Sequence, residues 1–72
     1  MFRFGVLGTS HFALTRMIPS IQAGRDTAVV AIASRDGRKA SEAARALGIA
    51  RAYDSYQALL ADPNIDAVYN PL

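Results

Sequence analysis

The stretch Phe4-Gly5-Val6-Leu7-Gly8-Thr9-Ser10-His11-Phe12-Ala13 decides how this chain is read. An apolar run from Phe4 to Leu7 meets a tight turn of small residues, and an amphipathic segment follows from Phe12 to Ile21. That order predicts a strand, a turn and a helix. The turn carries a relaxed G-x-G-x-x-G/A pattern, with Gly8 first, Ser10 in place of the second glycine and Ala13 in place of the third. A helix N-terminus offers unpaired backbone N–H groups and a partial positive charge, which suit a diphosphate. Gly8 is a candidate because a side chain there would obstruct the turn and the approach of phosphate. Thr9, His11 and Phe12 are candidates through their backbone N–H groups, and Ala13 because it permits close helix–sheet packing. Ser10 has two readings: its Cβ crowds the phosphates, or its hydroxyl bonds them. His11, the sole histidine, is expected to be exposed or capping rather than catalytic.

Downstream, Ala28 to Ala33 is apolar without alternation, as in a parallel strand covered on both faces. It ends in Ser34-Arg35, about 20 residues beyond the turn, where dinucleotide folds read the ribose. An acid at that place would bond a ribose 2′-hydroxyl and select NAD. A guanidinium instead suits a 2′-phosphate through paired hydrogen bonds, and it stacks on adenine. Ser34, Arg35 and Lys39 therefore point to NADP, with NAD as the other cofactor admitted. Asp36 is expected to be the N-cap of the next helix, against the alternative that it takes the ribose or repels phosphate.

The remaining elements follow from periodicity and punctuation. Leu14, Met17, Ile18 and Ile21 form a helical stripe interrupted by Pro19, which predicts a kink or break. Gly24 is expected to close that helix in the left-handed conformation. Ala40, Ala43, Ala44 and Leu47 form a second stripe, stopped by Gly48. Arg51 to Tyr53 is a short strand, Asp54 and Gln57 have capping-box spacing for a helix through Leu60, and Ile65 to Tyr69 is a fourth strand. Tyr53, Tyr56 and Tyr69 are expected to pack or cap. The resulting class is α/β: a Rossmann-like, doubly wound parallel sheet, βαβαβαβ, with strand order 3-2-1-4. Asn70, Pro71 and Leu72 follow the fourth strand at the carboxyl edge, where such sheets bind ligands. The sheet reads as incomplete, because its fourth strand would be a bare apolar edge.

Whole-chain numbers narrow the class. A chain of about 60 residues buries only about 60% of its unfolded surface, so 72 residues bound one small domain. With 51% hydrophobic and 19% charged residues the chain is globular rather than disordered. It has no cysteine, which excludes disulfides and thiolate metal sites, and no metal-ligand spacing of other residues is read. The net charge of +2 is scattered, unlike the clustered basic face of a nucleic-acid binder. No signal peptide or membrane span is read, and a cytoplasmic location is expected.

Three segments together resemble the amino-terminal domain of the Gfo/Idh/MocA oxidoreductases. These are Phe4-Gly5-Val6-Leu7-Gly8-Thr9-Ser10, then Val30-Ala31-Ile32-Ala33-Ser34-Arg35-Asp36, then Ala52-Tyr53-Asp54-Ser55-Tyr56-Gln57-Ala58-Leu59-Leu60-Ala61-Asp62-Pro63 followed by Ile65-Asp66-Ala67-Val68-Tyr69. The third is the most diagnostic, since a generic dinucleotide fold has no need of it. The resemblance covers essentially all 72 residues. It implies a nicotinamide cofactor, hydride transfer to or from a sugar-like or related alcohol or carbonyl, and a second substrate-binding domain. It also implies a catalytic lysine, in a Glu-Lys-Pro motif, roughly one βα unit beyond Leu72. No Glu-Lys-Pro occurs here and Lys39 is the only lysine, so no residue is assigned a catalytic role.

The expectation is that residues 1–72 are the front part of a dinucleotide-binding domain, without the substrate domain and inactive alone. Its partners would be a dinucleotide and, in a full-length parent, a small-molecule substrate, with no nucleic acid or membrane. A competing expectation is a non-catalytic nucleotide-binding or interaction module that self-associates through the strand-four edge. A methyltransferase of similar fold is disfavoured, because its ribose diol usually wants a carboxylate where Ser34-Arg35 stands.

Overall fold

Four parallel strands lie in the order β3-β2-β1-β4. They are β1 (Phe2–Leu7), β2 (Thr27–Ala33), β3 (Arg51–Tyr53) and β4 (Ala67–Tyr69). The computed structural model describes residues 1–10 and 13–70. A π-wound turn, Ala13–Met17, runs into helix α1 (Ile18–Gln22), and α2 (Gly37–Leu47) and α3 (Tyr56–Leu60) complete the fold.

Two apolar layers flank the sheet. On one face Val6, Val29 and Ile32 meet Ala13 and Ile18 from the first helical segment, and Ala43 and Ala44 from α2. On the other face Leu7, Ala31 and Ala33 meet Leu59 of α3. The alanine stripe of α2 is what lets that helix lie close to the strands. The chain thus passes from one side of the sheet to the other between α2 and α3, and β4 pairs with β1 on the side away from β2, so the strand order reverses at β1. That reversal is the topological switch point of a doubly wound sheet.

Gly5 makes the α3 layer fit. A Cβ built there would stand 2.8 Å from Leu59 Cδ2 and 2.9 Å from Ile65 Cδ1. In the adjoining ladder Phe4 pairs with Val29 and Gly5 with Ala31, so Val30 is an extra residue bulged out of β2.

Two carboxylates lock the ends of the sheet. Asp66, just before β4, accepts from the Arg3 backbone N–H at 2.8 Å and from its guanidinium at 3.2 and 3.3 Å. The Arg3 fork holds the Asp66 carboxyl below its ordinary range. Asp62, whose side chain is only 3% exposed, accepts from the Tyr53 hydroxyl at 2.6 Å, the Asn64 N–H at 2.8 Å and Arg51 at 3.0 Å. The Tyr53 hydroxyl is the chief cause holding Asp62 low, and the same bond raises Tyr53.

The boundaries depart from the sequence expectation at four places. Proline at the second position of α1 falls where winding changes from π to α, so the disruption expected at Pro19 is a shift of hydrogen-bond register. Gly24 is not left-handed: α1 ends at Ala23 with φ −76°, and among the described residues only Gly8 and Gly48 have positive φ. The Thr27 hydroxyl donates to the Ile21 carbonyl at 2.6 Å and so satisfies the helix end from outside. Gly24 is needed there for space, because a Cβ would collide with Thr27 Oγ1. Ser55, not Asp54, caps α3 by accepting from the Ala58 N–H. Finally, β4 begins at Ala67, because Asp66 is held by Arg3 and Ile65 is drawn into the α3 layer.

Candidate functional site

Each βα turn leaves the sheet at its carboxyl edge, and two of these turns face one another. Gly8, Thr9 and Ser10 after β1, with Ser34, Arg35, Asp36 and Lys39 after β2, line one open groove; Tyr56 of α3 completes it. The phosphate-turn and ribose-end residues expected from the sequence are therefore brought together.

Gly8 has φ 96°, a conformation that L side chains rarely adopt, so the turn requires glycine. Its N–H donates to the Ala33 carbonyl at 2.7 Å, which ties the end of β1 to the end of β2. The contribution of Gly8 to the groove is shape rather than a free donor. Ser10 resolves into a role that neither sequence reading named. Its Oγ accepts from the Ala13 N–H at 3.2 Å while its carbonyl accepts from the Leu14 N–H at 3.0 Å, so Ser10 starts the helical segment as an N-cap. The hydroxyl proton remains available to an acceptor. Ala13 is fully buried in the core and supports the turn from beneath, as its small size predicts. His11 and Phe12 lie outside the described residues, as do Pro71 and Leu72.

Ser34 is 7% exposed. Its N–H donates to the Tyr53 carbonyl at 3.1 Å and its Oγ accepts from the Asp36 N–H at 3.1 Å. Asp36 caps α2, accepting from the Arg38 N–H at 3.0 Å, as its position before the alanine stripe predicts. Arg35 and Lys39 are exposed and, among the described residues, have no ion-pair or hydrogen-bond partner. Two cations against the single carboxylate of Asp36, beside a helix N-terminus, leave the β2 side of the groove net positive. Arg38, the remaining cation of this turn, does not line it.

Asn70 follows β4, on the far side of β1 from the cations, and does not line the groove. Tyr56 does line it while packing against the α3 layer, although the sequence expectation gave it packing alone. Tyrosine one residue after the Ser55 cap was the available signal, since the first turn of α3 rises from the same sheet edge. Among the described residues no group of three or more His, Cys, Asp or Glu is placed to hold a metal ion, and no helix is long and apolar enough to cross a membrane.

Comparison with known proteins agrees with this geometry. A family described as an oxidoreductase family with an NAD-binding Rossmann fold, Gfo/Idh/MocA, matches residues 2–69. An NADP-dependent D-xylose 1-dehydrogenase of Haloferax volcanii is 54% identical over 69 residues, 96% of this chain and 21% of its own length. An uncharacterised oxidoreductase of Rhizobium meliloti is 50% identical over 72 residues, covering 100% of this chain and 22% of its own. A 3-ketoreductase from Actinomadura kijaniata, crystallised with NADP and TDP-benzene, superposes with a TM-score of 0.93 at 38% identity, over 99% of this chain and 22% of that one. The chain thus spans about a fifth of the length of the curated relatives it matches. With the strand order, the glycine turn and a match running from Phe2 to Tyr69 in agreement, this chain belongs to the Gfo/Idh/MocA oxidoreductases and forms their NAD(P)-binding Rossmann fold.

Proposed function

We propose that residues 1–72 are the front of a dinucleotide-binding domain that prefers NADP to NAD, within an oxidoreductase acting on a sugar-like alcohol or carbonyl. The observation that carries this reading is the groove in which Gly8 and Ser10 face Ser34, Arg35 and Lys39. The residues fit such a cofactor: a glycine turn at the end of β1 leaves room for a diphosphate, and Arg35 and Lys39, without a partner among the described residues, line the same groove on the side that would take a 2′-phosphate. Arg35 would bind that phosphate through paired hydrogen bonds and Lys39 as a point charge. The Ser34 and Ser10 hydroxyls would donate to phosphate oxygens, and Thr9 would complete the phosphate turn. The same turn would take His11, Phe12 and Ala13 as its supporting residues, with Asn70, Pro71 and Leu72 toward the nicotinamide end.

When bound, the nicotinamide accepts or donates a hydride at a substrate carbon. This chain's own residues bind and orient the adenosine half; the proton-handling lysine and the substrate domain of the family would lie outside them. Relatives named for a D-xylose dehydrogenase and a sugar 3-reductase support a sugar-like substrate for the parent enzyme. Titration calorimetry of the chain with NADP and NAD tests the reading. Saturable binding with NADP at least tenfold tighter is expected. Equal affinities, or no saturable binding by a folded sample, would overturn it.

A further inference from the structure

We infer that Asp36 is a positioning residue that sets the groove toward a 2′-phosphorylated ribose, an inference that rests on the nucleotide reading above. Asp36 sits in two consecutive side-chain-to-backbone bonds. Its N–H donates to Ser34 Oγ at 3.1 Å, and its Oδ1 accepts from the Arg38 N–H at 3.0 Å. The first bond uses the Ser34 oxygen as an acceptor, which leaves the hydroxyl proton to donate. Ser34 is otherwise buried and pinned to Tyr53, so the groove it lines is the outlet for that proton. The second bond draws the carboxylate to the first turn of α2. An acid free to swing to the ribose would favour a 2′-hydroxyl; this one is held by the helix end instead.

The negative charge nonetheless stays on the groove wall, among Arg35 and Lys39. Asp36 therefore has two separable effects. As a cap its side chain fixes the backbone whose N–H holds Ser34 Oγ, and as an anion it opposes the phosphate that Arg35 and Lys39 attract. Asparagine caps about as well as aspartate and carries no charge, so it separates the two.

The experiment is calorimetric titration of the wild-type chain, Asp36→Asn and Asp36→Ala with NADP and with NAD, alongside their melting temperatures. Asp36→Asn is expected to melt with wild type and to bind NADP about threefold tighter or better, with NAD changed by less than about twofold. Asp36→Ala is expected to melt lower and to show a smaller NADP-to-NAD preference than wild type. A wild-type chain that prefers NADP, with Asp36→Asn weakening NAD about tenfold and leaving NADP unchanged, would overturn the inference alone, because Asp36 would then bind the ribose hydroxyls itself. Unchanged preference in both variants would overturn it equally. A folded wild-type chain that binds neither nucleotide would bring down the nucleotide reading, and this inference with it.

Discussion

The Gly8 amide donates to the Ala33 carbonyl across 2.7 Å, and this one bond fixes the spacing of the two turns that line the groove. Glycine is required because the donor sits at φ 96°. Gly8→Ala is therefore expected to cost about 1–2 kcal/mol of stability, since the backbone must either stay strained or surrender the bond. Nucleotide affinity should fall tenfold or more at a temperature where the variant is still folded. A chemical-denaturation curve together with a titration checks both.

Arg35 and Lys39 should act on one ligand group only. Arg35→Ala and Lys39→Ala are each expected to weaken NADP about tenfold while changing NAD by less than about twofold. NADP affinity of the wild type should also decline more steeply with added salt than NAD affinity. Titrations at two ionic strengths separate these outcomes from a general loss of fold.

Asp62 links stability to pH. Its carboxyl is held low by the Tyr53 hydroxyl, the Asn64 N–H and Arg51. A depressed folded value means that the contribution is fully present above the unfolded value of about 3.9 and is lost as pH falls through the folded one. Asp62→Asn should lower the melting midpoint at pH 7 by about 5 °C, and the gap from wild type should narrow as pH falls below the unfolded value of about 3.9. Melts across that pH range check the sign. Asp66, held low by Arg3 at the other latch, adds in the same direction.

Two glycines should fail for opposite reasons. Gly5→Val is expected to cost about 2 kcal/mol through overpacking against Leu59 and Ile65, and Leu59→Ala should recover part of it. Gly48 has φ 70° with nothing within 4 Å of a built Cβ, so Gly48→Ala should cost about 1 kcal/mol from backbone strain alone. A double-mutant comparison distinguishes them, because no neighbouring truncation should rescue Gly48→Ala.

The parts of this fold that could be read from the sequence are those written locally. Unbroken apolar runs announced β1 and β2, and the alanine stripe with Asp36 before it and Gly48 behind it announced α2. The two halves of the groove were legible because turn glycine and ribose-end arginine are separated by one βαβ unit. What was misread depends on partners distant in sequence. Gly24 looked like a left-handed cap, yet Thr27 reaches back to do that work. Ile65 looked like strand, yet Asp66 is claimed by Arg3, 63 residues away, and the ladder starts later. Ser55 and Asp54 are both good caps, and only the backbone conformation at Ser55 chose between them. Tyr56 reached the groove because α3 crosses to the second face, which no periodicity within its five residues could reveal.

The extra residue in β2 carries a consequence for evolution by insertion and deletion. Val30 and Ala31 both belong to the α3 layer, so the odd–even parity of the strand resets between them. Ile32 and Ala33 then match Val6 and Leu7, side for side, and the strand delivers Ser34 and Arg35 toward the cations' groove. Removing Val30 would leave Phe4 opposite Val29 and Gly5 opposite Ala31 with unbroken alternation, so the last half of the strand would keep its faces and the arginine its surface. Length at Val30 is thus free to shrink by one residue, a tolerance that the chemistry at Arg35 does not share.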